Sequence, residues 1–192
     1  MPLTPRATAA GAAVLIALAG AAWAGLAHLE DDPERRELVL TPIADTYVSQ
    51  AKADDSYGTA RQLRADAPPN EVRSYLRFEV PTLHGRLVGA RLRLHANTPD
   101  PTGLLIAPVA VGTWSEDTNW RTAPPIREPV ARGPAVLADQ WAEVDVSVLV
   151  TGPGRIDLAL TSSGQRMVNY SSREDGERTA PRLTLLIEGT SA

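Results

Sequence analysis

The chain has no cysteine, one lysine (Lys52), one phenylalanine (Phe78) and three histidines in 192 residues. The missing cysteine rules out a disulfide framework, a thiolate metal site and a thiol nucleophile, so any metal would need oxygen ligands or a histidine. It does not argue against export, because an oxidising compartment permits disulfides without requiring them. There is no basic block and the net charge is −4. Nucleic acid is therefore excluded as a partner, since its binding rests on neutralising phosphates. No nucleotide-binding glycine loop and no serine nucleophile elbow occur. The acids Glu79, Glu116, Glu143 and Asp145 are too scattered to read as the paired carboxylates of a glycosidase. What positive charge exists is almost all arginine, whose planar fork suits carboxylate or sulfate groups.

Residues 1–29 carry Arg6, an apolar run from Ala9 to Ala22, and Ala22-Trp23-Ala24, a small-x-small signal-peptidase pattern. A secretory signal peptide cut after Ala24 is expected. The alternative is a membrane anchor, because apolar residues continue to Ala27 and a span needs about 20 of them. In both cases Arg6 stays inside while Glu30, Asp31 and Asp32 follow the run, which puts the folded part outside the membrane. Residues 30–37 are expected to form a charged linker, 38–188 a single domain and 189–192 a tail. With 43% hydrophobic residues the domain can bury a core.

The clearest pattern runs from Val72 to Ala96. Val72, Ser74, Leu76, Phe78 and Val80 alternate with Arg73, Tyr75, Arg77 and Glu79. After Pro81 to Arg86, Val88, Ala90, Leu92, Leu94 and Ala96 alternate with Gly89, Arg91, Arg93 and His95. Period two predicts half-buried strands, and the short link containing Gly85 predicts an antiparallel hairpin with one apolar and one Arg/Tyr/His face. Elsewhere Glu37–Thr41 and Thr46–Ser49 read as one strand broken at Pro42, and Gln62–Asp66 as a short strand. Leu104–Val111 reads as an edge strand or a bulge at Pro108. A long connection from Gly112 to Gly133 is expected to be pinned by Trp114 and Trp120. Trp141, Val144, Val146 and Val148 change phase near Glu143, as a bulge would. Ile156, Leu158 and Leu160, then Met167–Tyr170, then Leu183, Leu185 and Ile187 complete the series. Roughly nine or ten strands without helical periodicity predict an all-β, jelly-roll-like antiparallel sandwich.

Several landmarks in order resemble carbohydrate-binding module family 96, also called the DNRLRE domain. These are Ala44-Asp45-Thr46-Tyr47-Val48, Ser56-Tyr57-Gly58, Leu76-Arg77-Phe78-Glu79-Val80, Ala90-Arg91-Leu92-Arg93-Leu94, Trp114-Ser115-Glu116, Asn119-Trp120, Trp141, Asp145-Val146-Ser147, Ser172-Arg173-Glu174 and Pro181-Arg182-Leu183. The resemblance spans residues 38–188. It implies a secreted, extracellular jelly-roll module that binds polysaccharide, with acidic polymers such as alginate among the ligands of the type and no catalysis in most members. Where the family commonly writes Asn-Tyr-Gly, this chain has Ser56.

The candidate ligand residues are Arg73, Tyr75, Arg91, Arg93 and His95 on the hairpin's polar face, with Tyr57 on a rim loop. Cross-strand neighbours lie about 5 Å apart, so they would form one patch in which guanidinium forks meet uronate carboxylates and Tyr75 stacks on a sugar. Arg77 belongs to the structural pattern. The tryptophans are expected mainly to pack, with sugar stacking as the alternative, and Arg173 to pair with a nearby carboxylate. No cofactor is expected. Asp45, Asp54 and Asp55 are the weak candidates for a calcium ion, which takes six to eight oxygens. Two other functions stay open: an adhesive or structural surface module binding a protein partner, and a polysaccharide lyase using Tyr75, His95 and Arg93.

Overall fold

The computed structural model describes residues 35–110 and 113–189. The expected leader with its cut after Ala24, most of the linker and the last three residues lie outside them. The described residues form eleven strands: β1 (Arg35–Leu40), β2 (Ala44–Ser49), β3 (Gln62–Ala65), β4 (Val72–Val80), β5 (Arg86–His95), β6 (Leu105–Pro108), β7 (Ala131–Arg132), β8 (Trp141–Asp145), β9 (Gly154–Thr161), β10 (Val168–Ser171) and β11 (Arg182–Glu188). The only helical pieces among the described residues are single 3-10 turns at Ser147–Leu149 and Arg173–Asp175. Sheet A has the order β1-β11-β5-β8 and sheet B the order β2-β4-β9-β6-β7, while β3 and β10 form a two-stranded ribbon. All pairings are antiparallel. The all-β antiparallel sandwich is as expected.

The hairpin is not. β4 pairs with β2 and β9, β5 pairs with β11 and β8, and the Pro81–Arg86 link is an arch from one sheet to the other. The physical reason is burial. A hairpin would aim both apolar faces the same way and need another layer to cover them. In the arch, Leu76, Phe78 and Val80 meet Ala90, Leu92 and Leu94 in one core. Phe78 is fully buried there, and removing such a ring typically costs about 3–5 kcal/mol. Gly85 closes the arch with φ +133°, where a Cβ would stand 2.3 Å from the Glu188 carbonyl oxygen.

Four other expectations change. The "strand broken at Pro42" is two strands in different sheets, with Pro42 and Ile43 at the crossing, and Arg35 to Glu37 belong to β1 instead of the linker. Val88 is skipped by a bulge that pairs Leu186 with Gly89 and Ile187 with Leu87, so it turns outward at 36% exposure and Leu87 packs on the core in its place. No bulge interrupts β8. Ala142, Val144 and Val146 point inward in register, which leaves Trp141 on the outer face.

The two outer faces differ. Sheet B's is covered by the long connection, whose Trp114, Trp120, Ala123 and Ile126 gather with Val48, Tyr75, Ala107 and Ala159 into a second apolar cluster. Sheet A's remains open, with Val39 52% exposed and the Arg91 and Glu143 side chains 50% and 46% exposed.

At one end of the core, Asp100 is completely buried yet saturated. Its Oδ1 accepts from the backbone N–H groups of Thr102 and Gly103 at 3.1 and 2.9 Å, and its Oδ2 accepts from the Tyr170 hydroxyl at 2.8 Å. This knot ties the loop after β5 to β10.

Candidate functional site

Because β4 and β5 lie in opposite sheets, the expected patch is split between the two sides of the molecule. Tyr75 is fully buried under the long connection, donates its hydroxyl to the Pro124 carbonyl at 2.9 Å and sits 5.7 Å from the Trp114 ring. Burial pushes its phenol up to about 12. It is a core residue and offers no ring face to a sugar. It also cannot join His95 in a lyase constellation, since the two stand on opposite sheets. Arg77 is consumed by structure: Nε donates to Asp157 at 2.7 Å and Nη1 to the Trp114 carbonyl at 3.0 Å. Arg73 lies on the same face, its guanidinium 4.5 Å from the Trp120 ring centre.

Arg91, Arg93 and His95 do stay together, on the open face of sheet A. The pairing of β5 with β8 sets Arg91 opposite Asp145, Arg93 opposite Glu143 and His95 opposite Trp141, and the pairing with β11 sets Arg182 opposite Arg93. The half-buried Trp141 ring becomes the centre of the group. Arg93 and Arg182 guanidiniums stand 5.0 and 5.3 Å from its centroid, and the His95 ring meets it edge-on at 5.3 Å. Arg91 donates to Glu143 at 3.2 Å, whereas Arg93 Nε is 3.6 Å from the same carboxylate and has no hydrogen-bond partner among the described residues. Asp145 is occupied by Ser147, whose hydroxyl and backbone N–H both bond to it and hold its carboxyl below the usual range. An aromatic plate flanked by two guanidiniums and an imidazole can stack a sugar ring and fork a carboxylate. Trp141 was expected mainly to pack and Arg182 only to be part of a sequence pattern. The alternation Arg182-Leu183-Thr184-Leu185 does place Arg182 outward, but nothing local says that β11 adjoins β5.

A groove of about 610 Å³ runs beside this group, lined by Thr98, Pro99, Pro101, Val136, Leu137, Arg166, Met167 and Gln140, the residue before Trp141.

Tyr57 stands apart from the sheet A group. It stacks on Tyr47 at 4.1 Å and 12°, donates to Asp55 at 3.3 Å, and is half-buried, while Arg64 caps the Tyr47 ring at 5.1 Å. The calcium candidates are not assembled. Asp45 is buried and accepts from the Arg173 backbone N–H at 2.9 Å, Asp54 is an exposed partner of Arg121 at 2.6 Å, and Asp55 is held by Tyr57. Among the described residues no group of three or more histidines or carboxylates is arranged to hold a metal ion. Arg173 pairs with Glu174 at 2.7 Å and reaches Glu116 at 3.5 Å, fixing the turn before β11 as expected.

A family model described as carbohydrate-binding module family 96 matches residues 37–187. No curated protein matches the chain.

Proposed function

The chain belongs to carbohydrate-binding module family 96, and on that premise we propose that it binds an acidic polysaccharide at the Trp141 group, outside the cell and without catalysing a reaction. The observation that carries the reading is the half-buried Trp141 ring on an open sheet face, with the Arg93 and Arg182 guanidiniums 5.0 and 5.3 Å from its centre. A pyranose stacks on the indole through its apolar C–H face, and the two guanidiniums supply forked donors to a uronate carboxylate. Arg93, whose side chain is 37% exposed and stands 3.6 Å from Glu143, offers its outer guanidinium edge to such a ligand. The acidic flank, Glu143, neutralises only part of the charge of Arg91, Arg93 and Arg182. Export rests on the order of Arg6, the apolar run and the following acids.

The test is retention of the purified protein in gels containing alginate, polygalacturonate or a neutral glucan, with absorbance of unsaturated uronate followed in parallel. Retention by the acidic polymers, weakened by salt and reduced in Trp141→Ala and Arg93→Ala with unchanged melting, is the expected result. Retention left undiminished by both substitutions would place binding elsewhere. Growth of absorbance would make the protein a lyase.

A further inference from the structure

The opposite face of the sandwich carries a second grouping of the same kind. Trp120, half-buried at the margin of the outer cluster, lies under the Arg73 guanidinium at 4.5 Å, closer than Arg93 lies to Trp141. Arg73 comes from β4 of sheet B and Arg93 from β5 of sheet A, so the two pairs look away from each other. Arg73 is only 15% exposed, its Nε has no hydrogen-bond partner among the described residues, and its Nη1 stands 3.9 Å from Glu71 Oε1, beyond hydrogen-bond reach. Arg77, two residues along the same strand, spends Nε and Nη1 on protein acceptors, while its buried Nη2 has none among the described residues. A guanidinium mostly withdrawn from water, with its nearest carboxylate beyond hydrogen-bond reach, is a costly arrangement for structure alone, and a ligand anion would meet its terminal nitrogens. The neighbouring surface is polar, with Arg121 bonded to an exposed Asp54.

We propose that Trp120 and Arg73 form a second binding site for the same class of acidic polysaccharide, so that one module bridges two polymer chains held on opposite faces. The proposal rests on the reading of the Trp141 group given above. Each site uses an arginine on a tryptophan ring, and the core between them sets them back to back.

The experiment is titration calorimetry of the purified protein with a short oligouronate, together with light scattering of the long polymer on adding protein. Two sites per chain are expected, falling to one in Trp120→Ala and to one in Trp141→Ala. Scattering from cross-linked polymer should appear with the unmodified protein and vanish in either variant. Arg73→Gln leaves the Trp120 packing in place and should likewise reduce the count to one, which covers the case that Trp120→Ala misfolds. A count of one that Arg73→Gln leaves unchanged and Trp141→Ala abolishes overturns the second site and leaves the first standing. A count of one that Arg73→Gln abolishes and Trp141→Ala spares overturns both the bridge and the Trp141 assignment. No binding at all overturns both sites.

Discussion

Arg77 on β4 and Asp157 on β9 are direct cross-strand partners, with Nε and Oδ1 2.7 Å apart, and the Trp114 indole N–H donates to the same Oδ1 at 3.0 Å. The Arg77 guanidinium also lies 4.3 Å from the Trp114 ring centre and donates to the Trp114 carbonyl. Two adjacent strands therefore clamp the long connection onto sheet B through one carboxylate. The clamp explains how a segment with little secondary structure can hold Trp120 in place.

Removing the carboxylate should loosen the clamp. Both side chains are nearly buried, 12% and 14% exposed, so Asp157→Ala leaves Arg77 charged and without its main partner. A loss of about 3 kcal/mol is expected, at the lower end for a broken buried pair because both side chains keep some contact with water. Urea unfolding measures it, and a change under about 0.5 kcal/mol, typical of a neutral surface substitution, would mean the clamp is not needed.

Tyr75 separates structure from binding. Tyr75→Phe removes the hydroxyl that bonds to Pro124 and should cost about 1 kcal/mol while leaving polysaccharide retention unchanged. Loss of retention at full stability would return Tyr75 to the site.

Asp45 makes stability fall with pH. Burial raises its carboxyl to about 8, opposed by the Arg173 backbone hydrogen bond and reinforced by the negative charge of Glu174. In the unfolded chain the group titrates near ~3.9. The folded state therefore holds the proton more tightly, and no penalty applies below the unfolded value. The penalty grows as pH rises through the window from about 4 to about 8 and levels off above it. Linkage gives an upper bound of roughly 6 kcal/mol. Asp45→Asn should flatten this slope, raising the melting temperature more at about pH 9 than at about pH 5. Equal shifts at both would show that Asp45 is ionised throughout.

Gly58 marks where two loops touch. A Cβ there would lie 2.2 Å from Glu116 Cβ and 2.4 Å from the Glu116 carbonyl oxygen. Gly58→Ala should cost about 1–3 kcal/mol by pushing the Tyr57 loop off its neighbour. Thermal melting checks the cost, and an unchanged midpoint would mean the loops do not pack this closely.

Much of the molecule is written locally. The alternation in Val72–Val80 and in the second half of β5 decides which side chains share a face, because the strand period is two whatever the neighbours. That was enough for the all-β class, for most strand positions and for keeping Arg91, Arg93 and His95 together. Which strands adjoin is not local. The link from Pro81 to Arg86 serves a hairpin or an arch, and only the demand that both apolar faces be buried against each other selected the arch. That choice sent Arg73 and Tyr75 to one side of the sandwich and Arg93 to the other. It also brought Arg182, distant in sequence, alongside Trp141. Side-chain facing belongs to the sequence, because it follows from backbone geometry. Pairing belongs to the tertiary structure, because burial is a contest among all the strands at once.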